Sequence, residues 1–255
     1  MSSYLGKYAE YYNYIYANKP YQDEAAFVHN CLQRNSTGRT QTLIELACGT
    51  GRHAFELEKL GYQILATDYS ADLLAVAQAE AKRLASTIAF ELHDMRNLQV
   101  DRVFDAAYCL FDSIGYVQTN EAVLQVLRNA HRIVCDKGLL ILEFWHAAAM
   151  LRGYEPVRHA RWSLPGGELL RSSHTTLHVD RQLAEVRYSL RETDTAGHVI
   201  AEFEETQLNR YFLVQEMALF LQQAGFSSLE WLPAYQTDKA IGPDTWHIMV
   251  VAQKE

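Results

Sequence analysis

The sequence has no excess of basic residues and no long apolar run. Lysine and arginine total 23 and aspartate and glutamate total 31, so the net charge is −8. A general nucleic-acid binder usually carries a basic excess, so this charge argues against one, although a local basic patch would still permit an RNA contact. The longest apolar stretch, about residues 138–145, contains Glu143 and is much shorter than a membrane-spanning helix.

Cysteines are few, and metal-ligand patterns are missing. The four cysteines, Cys31, Cys48, Cys109 and Cys135, form no CxxC pair, and their spacings match no zinc pattern. The ten histidines are scattered along the chain. The first 16 residues lack the apolar core of a signal peptide. We therefore expect buried free thiols, no metal site, no membrane association and a cytoplasmic location.

Strand and helix patterns alternate through the first part of the chain. The predicted strands are at about 42–47, 63–67, 88–92, 104–110 and 139–144, with a turn at 136–138. The predicted helices are at about 4–17, 21–34, 52–60, 70–84 and 119–134. This alternation predicts an α/β fold with a doubly wound, mostly parallel sheet.

The pattern changes after about residue 154. Four strand-like segments follow, at about 158–164, 169–179, 182–192 and 198–209, with short turns between them. They predict an inserted antiparallel β lobe. A helix at about 214–224 and strands at about 228–232 and 245–252 complete the chain. We therefore assign residues 1–154 and 210–255 to one α/β domain and residues 155–209 to the inserted lobe.

A glycine turn joins the first strand to the next helix in the segment ELACGTGRH. Gly49 and Gly51 let the backbone approach a ligand, which the N–H groups of the following helix can also contact. The spacing Gly49-x-Gly51-x-x-Ala54 also satisfies the relaxed dinucleotide fingerprint. The turn alone therefore predicts a nucleotide-like cofactor without identifying it.

Two aspartates follow the next two strands. Asp68 ends the second strand, at the spacing expected of a carboxylate that accepts hydrogen bonds from a ribose diol. Asp94 ends the third strand, where it can accept from an adenine amine while Met95 packs on the ring. Open α/β sheets bind ligands at this edge. Either aspartate alone is also typical of a helix cap or turn.

These segments resemble the class I S-adenosylmethionine-dependent methyltransferases. The resemblance consists of ELACGTGRH, ATDYS, HDMRNL, FDAAYCLFDSIGYV and, near the end, LQQAGF. NAD enzymes share the first two segments but not HDMRNL. Ala47 stands where many members have glycine, but the family also has this variant. The resemblance implies a Rossmann-like seven-stranded sheet with an antiparallel end.

The resemblance also implies roles for residues of the cofactor site. Ala47 and Gly49 would approach the methionine moiety, and Arg52 would lie near its carboxylate. Asp68 and Tyr69 would hold the ribose, Asp94 and Met95 would frame the adenine, and Leu110 would line the pocket. The cofactor-binding set predicted for S-adenosyl-L-methionine, whose product is S-adenosyl-L-homocysteine, is completed by Glu45, Gly51, Tyr12 and Tyr21.

Tyrosines recur near the N-terminus. Tyr4, Tyr8, Tyr12 and Tyr16 have the spacing of one helical face. Such a face is typical of core packing, and alternatively of a lid whose hydroxyl groups reach the cofactor or acceptor. The segment YAEYYN resembles the F-A-x-x-Y-D opening of small-molecule N-methyltransferases. We predict a catalytic and cofactor-binding role for Tyr12, and acceptor binding by Tyr16.

Further candidates for the acceptor site follow strands four and five. Phe111, Asp112 and Tyr116 lie in FDSIGY, which resembles the F-x-S-I-G-H/Y segment of amino-sugar N-methyltransferases. Some members have histidine in place of Tyr116, which leaves a general base unassigned, and Asp112 alternatively caps a helix. Trp145 and His146 end strand five, where His146 orients the acceptor, takes a proton late, or is a partly buried histidine with its hydrogen bonds satisfied. We predict that Tyr116 and His146 are catalytic.

The inserted lobe supplies the last candidate. In the similar sugar N-methyltransferases such an insert covers the acceptor pocket. The segment RYFLVQE resembles the helix entry of that subfamily, and Arg210 within it either pairs with an anionic acceptor or forms a salt bridge between lobe and core.

Methyl transfer from a sulfonium is an in-line displacement in which alignment of the reactants is the main catalytic effect. A hydroxyl acceptor usually needs a base or a metal, and the sequence indicates neither a metal cluster nor a strong pair of base and orienting residue. We therefore expect an amine acceptor in a small, amino-sugar-like molecule, and a monomer or homodimer. The alternatives are O-methylation assisted by His146 or Tyr116, a cofactor-binding subunit without catalysis, and, more remotely, a dinucleotide oxidoreductase.

Overall fold

The computed structural model describes residues 7–255, which form two separate sheets and the helices around them. The helices are α1 (Lys7–Ile15), α2 (Tyr21–Asn35), α3 (Arg52–Lys59), α4 (Ala71–Leu84), α5 (Asn120–Ile133), α6 (Ala147–Gly153) and α7 (Val214–Gln223). The strands are β1 (Thr42–Leu46), β2 (Gln63–Asp68), β3 (Ala89–Leu92), β4 (Phe104–Cys109), β5 (Val134–Trp145), β6 (Val157–Leu164), β7 (Gly167–His178), β8 (Leu183–Asp194), β9 (Val199–Arg210), β10 (Phe226–Pro233) and β11 (His247–Lys254).

The larger sheet has seven strands in the order β10-β11-β5-β4-β1-β2-β3. Strands β1 to β5 run parallel to one another, and β11 runs antiparallel between β5 and β10. The predicted doubly wound, mostly parallel sheet with an antiparallel end is therefore confirmed. The order reverses between β1 and β4, so a crevice is expected beyond the carboxyl ends of these strands.

The helices begin at that same edge of the sheet. Ser70 and Thr119 cap α4 and α5, because their hydroxyl oxygens accept from the amides of Leu73 and Ala122. One face of α5 is buried against the sheet, with residues spaced three and four apart as an amphipathic helix requires: Val123, Val126, Leu127, Ala130 and Ile133.

The four strands of the predicted lobe form an antiparallel sheet in the order β6-β7-β8-β9. Helix α1 packs against this second sheet, where Tyr8 and Tyr11 lie in an apolar cluster with Leu169 and Leu190. The indole of Trp162 also donates to the carbonyl of Ile15. Helix α1 therefore connects the inserted sheet with the edge of the main sheet where the cavities described below lie.

Two details differ from the prediction. Strand β5 starts at Val134, not at 139, because a bulge with Lys137 in the left-handed region (φ 61°) lets the predicted turn continue the strand. Helix α6 was not predicted, since its seven residues are too few to show a helical period. Tyr4, the first tyrosine of the predicted helical face, lies outside the described residues.

None of the helices in the part of the chain that the structure describes combines the length and the apolar character needed to cross a membrane.

Candidate functional site

Hydrogen bonds to Asp68 fix the glycine turn after β1. The Asp68 Oδ2 atom accepts from the Gly49 amide at 2.7 Å, and Oδ1 accepts from the Ser70 amide at 2.8 Å. Ala47, Gly49 and Gly51 all have positive φ, which costs Ala47 some backbone strain. The carboxylate at the end of β2 therefore fixes the turn that follows β1.

The glycines of this turn have different roles. A Cβ atom at Gly49 would lie 3.6 Å from the hydroxyl oxygen of Tyr12, in the space between the turn and α1. A Cβ atom at Gly51 would lie 2.7 Å from the ring of Phe90 instead, so Gly51 allows helix α3 to pack. Of the two, only Gly49 lines a cavity.

A groove runs along the carboxyl ends of the strands, past Ala47. Its largest part, about 250 Å³, is lined by Tyr69, Asp94, Met95 and Tyr116, among others. Two smaller cavities continue it, and Ala47 and Ser113 line all three. The middle cavity is next to Asp68 and Tyr12, and the last is lined by Tyr21, Glu45, Arg52 and Leu110. The structure therefore brings together eleven of the twelve predicted cofactor residues, all except Gly51.

The two ends of the groove differ in charge. Although partial burial raises the pKa of Asp94, hydrogen bonds from Arg96 lower it below its usual value. Glu45 is buried, and burial raises its pKa to about 8 even though the Tyr108 hydroxyl donates to it at 3.1 Å. Glu45 therefore holds a proton at neutral pH, until a cation is placed beside it.

We expect ligand binding to change the protonation of Glu45. S-adenosylhomocysteine carries an ammonium group, which would favour the Glu45 carboxylate and release its proton below pH 8. The affinity should rise by up to about tenfold per pH unit towards pH 8 and level off above it. Calorimetry in two buffers of different ionisation enthalpy measures the released proton. Equal proton release by the wild type and by Glu45→Gln would contradict the prediction that the proton comes from Glu45.

The tyrosines predicted to share one helical face have different surroundings in the structure. Tyr8 is buried against the second sheet, as the core-packing interpretation predicts. Tyr12 lies over the glycine turn and contacts Tyr16, with ring centroids 4.7 Å apart. Tyr16 in turn packs edge-on against Phe111 at 5.1 Å. The lid interpretation, whose candidates are Tyr12, Tyr16 and Tyr21, stays a prediction. Of these three residues, Tyr12 and Tyr21 line the groove.

A second cavity, of about 600 Å³, adjoins the groove at Phe111. The Phe111 ring is a wall of this cavity and also of the two smaller parts of the groove. Residues 233–247, which connect β10 to β11, form most of the remaining lining, together with Lys19, Glu24 and Glu143. We name it the β10–β11 cavity.

A buried carboxylate and a histidine face each other in the β10–β11 cavity. Oε1 of Glu143 is 2.8 Å from Nδ1 of His247, and Oε2 accepts from the Tyr235 hydroxyl at 2.6 Å and from the Phe111 amide at 2.7 Å. Although burial raises the pKa of Glu143, these hydrogen bonds and the charge of His247 lower it to about 2. The structure therefore contains a contact between a histidine and a buried carboxylate that the sequence did not indicate.

Spacing in the sequence could not reveal this pair, because Glu143 and His247 are 104 residues apart. They meet because β11 pairs with β5 in a register that places His247 opposite Trp145. The only signal in the sequence was that both residues fall near the ends of predicted strands.

Four predicted acceptor-site residues lie in structural contacts. Asp112 is 1% exposed and accepts from the Trp145 amide at 2.6 Å. Burial raises the pKa of Asp112 well above its usual value. His146 is buried at the start of α6, with Nδ1 3.1 Å from the Thr245 carbonyl oxygen, and Trp145 packs beside α6. A catalytic or binding role for these three stays a prediction.

Arg210 is the fourth of these residues. Its Nη2 atom is 2.6 Å from Glu216 at the start of α7 and 2.7 Å from Asn120 at the start of α5. Arg210 therefore forms the salt bridge between lobe and core that was the alternative prediction, and it lines neither the groove nor the β10–β11 cavity.

The chain is similar to known proteins over most of its length. Residues 43–138 match the family model described as a methyltransferase domain. A Geobacillus relative is 28% identical over 136 residues, a match that covers 53% of this chain and 55% of that relative. The dTDP-3-amino-3,6-dideoxy-alpha-D-glucopyranose N,N-dimethyltransferase of Streptomyces fradiae is 27% identical over 235 residues, which are 91% of this chain and 88% of the relative.

The fold is also found in solved structures. The crystal structure of an S-adenosylmethionine-dependent methyltransferase from Clostridium acetobutylicum superposes with a TM-score of 0.83 at 18% identity, over 96% of each chain. At this identity the likeness concerns the fold, and it includes the inserted sheet because nearly the whole chain is covered.

Proposed function

We propose that this chain, which is an S-adenosylmethionine-dependent methyltransferase, methylates an amine nitrogen of a small molecule of the amino-sugar type. The observation that carries this proposal is the β10–β11 cavity, which adjoins the groove at Phe111. Its volume of about 600 Å³ suits a small-molecule ligand. The relative from Streptomyces fradiae, named as an amino-sugar N,N-dimethyltransferase, supports the choice of acceptor.

The residues of the groove fit the cofactor. Asp68 lies next to the cavity where a ribose would be held, and the missing side chain at Gly49 leaves space between the turn and Tyr12. Asp94 and Met95 would contact the adenine, and Glu45 and Arg52 would contact the methionine end. When bound, S-adenosylmethionine supplies a methyl group on a positively charged sulfur, which is already activated for transfer.

The contribution of the protein is to align the two reactants and to exclude water from them. The rings of Tyr12, Tyr16 and Phe111 contact one another in sequence, and Tyr12 and Phe111 line the groove. The Tyr116 hydroxyl donates to Gln207 of β9 at 3.0 Å, which connects the inserted sheet to the groove wall. We propose on this basis that residues 155–209 cover the acceptor side and that the N-terminal helix serves as the lid of the groove.

A second candidate function is O-methylation of a small hydroxylated molecule. The observation that favours it is the Glu143–His247 pair, because a hydroxyl acceptor usually needs a base. The same pair also serves an amine that arrives protonated, so the pair alone does not decide between the two acceptors.

A panel of acceptors tests the proposal. The purified protein is incubated with S-adenosylmethionine and matched amine and hydroxyl compounds, including dTDP-3-amino-3,6-dideoxyglucose, and the products are identified by mass. We expect one or two methyl groups on the amino sugar and none on the analogue with a hydroxyl in place of the amine. Methylation of the hydroxyl analogue alone would favour the second candidate, and methylation of RNA or protein without any amine metabolite would overturn both.

A cytoplasmic location and the absence of a nucleic-acid partner also belong to this proposal. The net charge of −8 supports the second of these. A monomer and a homodimer are both compatible with a groove and a cavity formed within one chain.

A further inference from the structure

The Glu143 side chain determines which nitrogen of His247 carries a proton. Glu143 is 1% exposed and its pKa is about 2, so it is an ionised carboxylate that can only accept hydrogen bonds at neutral pH. The Nδ1 atom of His247, 2.8 Å from that carboxylate, must therefore donate to it. In neutral His247 the remaining nitrogen, Nε2, is then an acceptor.

The Nε2 atom is available to a ligand. Among residues 7–255, none forms a hydrogen bond with Nε2 of His247. The imidazole is 36% exposed and lines the β10–β11 cavity. A histidine that is hydrogen-bonded to a buried carboxylate, and whose other nitrogen has no partner, has the arrangement of a general base and its orienting carboxylate.

The other groups that line the cavity are less suited to accept a proton. The Tyr235 hydroxyl already donates to Glu143, and burial raises its pKa well above the usual value. Lys19 is paired with Glu24, and its ammonium group lies over the Phe111 ring, 4.7 Å from the centroid. The remaining titratable side chains in the lining are Lys239 and Asp244.

We propose that His247 is a catalytic residue that takes a proton from the acceptor nitrogen in the β10–β11 cavity, and that Glu143 is its positioning residue. This inference rests on the proposed function, in which the acceptor is an amine. The amine arrives as an ammonium ion, and one N–H bond breaks as its proton forms a bond to Nε2. The electron pair stays on nitrogen as the nucleophile, and the imidazolium later returns the proton to water.

The pH profile of kcat/KM separates this role from a structural one. In the wild type the reactive combination is neutral His247 with the ammonium form of the acceptor, so the profile is bell-shaped. In His247→Gln only acceptor that has already lost its proton in solution can react. The variant should therefore lose about 100-fold at pH 7 and approach the wild type near the pKa of the acceptor amine. A structural role would lower the rate by a similar factor at every pH.

The matched control is His178→Gln. His178 also contacts a glutamate, with Nε2 2.9 Å from Glu185, but it lies in the inserted sheet and lines neither the groove nor the β10–β11 cavity. We expect this variant to keep the rate and the bell-shaped profile of the wild type.

A readout without turnover tests the positioning role. The Cε1–H resonance of His247 is followed by NMR across pH in the wild type and in Glu143→Gln, with His247→Gln to assign the signal. Loss of the carboxylate should shift this resonance, because the Nδ1–H group then loses its charged acceptor. Addition of dTDP-3-amino-3,6-dideoxyglucose should shift this resonance in the wild type.

The outcomes distinguish the inference from the proposed function. A wild type that methylates an amine, with a His247→Gln variant of the same rate or of the same bell-shaped profile, overturns the role of His247 and leaves the function intact. An unchanged His247 resonance in Glu143→Gln overturns the positioning role. A wild type that methylates no amine overturns both the function and the inference that rests on it.

Discussion

Replacing Asp68 by alanine is expected to weaken the binding of S-adenosylhomocysteine by about 10- to 100-fold. A hydrogen bond to a charged group contributes about 1.5–3 kcal/mol, and the variant loses the carboxylate predicted to hold the ribose hydroxyls. It also loses the bonds from the Gly49 and Ser70 amides that hold the glycine turn. Calorimetric titration measures the affinity.

Asp105→Ala is the matched control for this prediction. Asp105 also accepts from two backbone amides, those of Gln41 and Thr42 at 2.8 Å, but at the start of β1. This variant should lose stability and keep the affinity of the wild type. If Asp68→Ala binds as tightly as Asp105→Ala, the ribose assignment is wrong.

Replacing Gly115 by alanine is expected to lower the free energy of unfolding by about 1–3 kcal/mol, the usual cost of an extra methyl group in a packed interior. The new Cβ atom would lie 1.6 Å from Oδ1 of Asn209 and 2.7 Å from the carbonyl oxygen of Arg210. The Asn209 side chain can turn away, but the Arg210 backbone belongs to β9 and cannot. Urea unfolding followed by circular dichroism measures the change.

Gly153→Ala provides the comparison, because a Cβ atom there meets no other atom within 4 Å. We expect its stability to be close to that of the wild type. A similar loss in both variants would mean that the contact between Gly115 and β9 is not what limits substitution at this position.

The cofactor half of the site could be predicted because its residues are local in the chain. Asp68 ends β2 and Asp94 lies two residues after the end of β3, and the carboxyl ends of parallel strands meet at one edge of a sheet. Chain order alone therefore placed these residues together. The sequence pattern also predicted the inserted sheet, since the alternating strands and short turns of 157–210 are local as well.

The proposed acceptor half depends on strand register, which local patterns do not contain. Glu143 and His247 come together only through the antiparallel pairing of β5 with β11. For Arg210, in contrast, the partner is close in the sequence. Its motif suggested an anionic ligand, but Glu216, only six residues away, compensates its charge. A buried charge needs such a partner, and a salt bridge to the nearest carboxylate along the chain was the simpler interpretation of Arg210.

The division of the chain between the groove and the β10–β11 cavity has an evolutionary consequence. Residues between 12 and 118, with Leu208, line the groove, whereas residues 233–247 form most of the other cavity. Substitutions confined to 234–246 therefore reshape one cavity, keep His247 and leave the residues that line the groove unchanged. Under the proposed function, a lineage with this architecture can acquire a new substrate preference through one short connection between two strands, and a mutant library limited to that connection samples the same route.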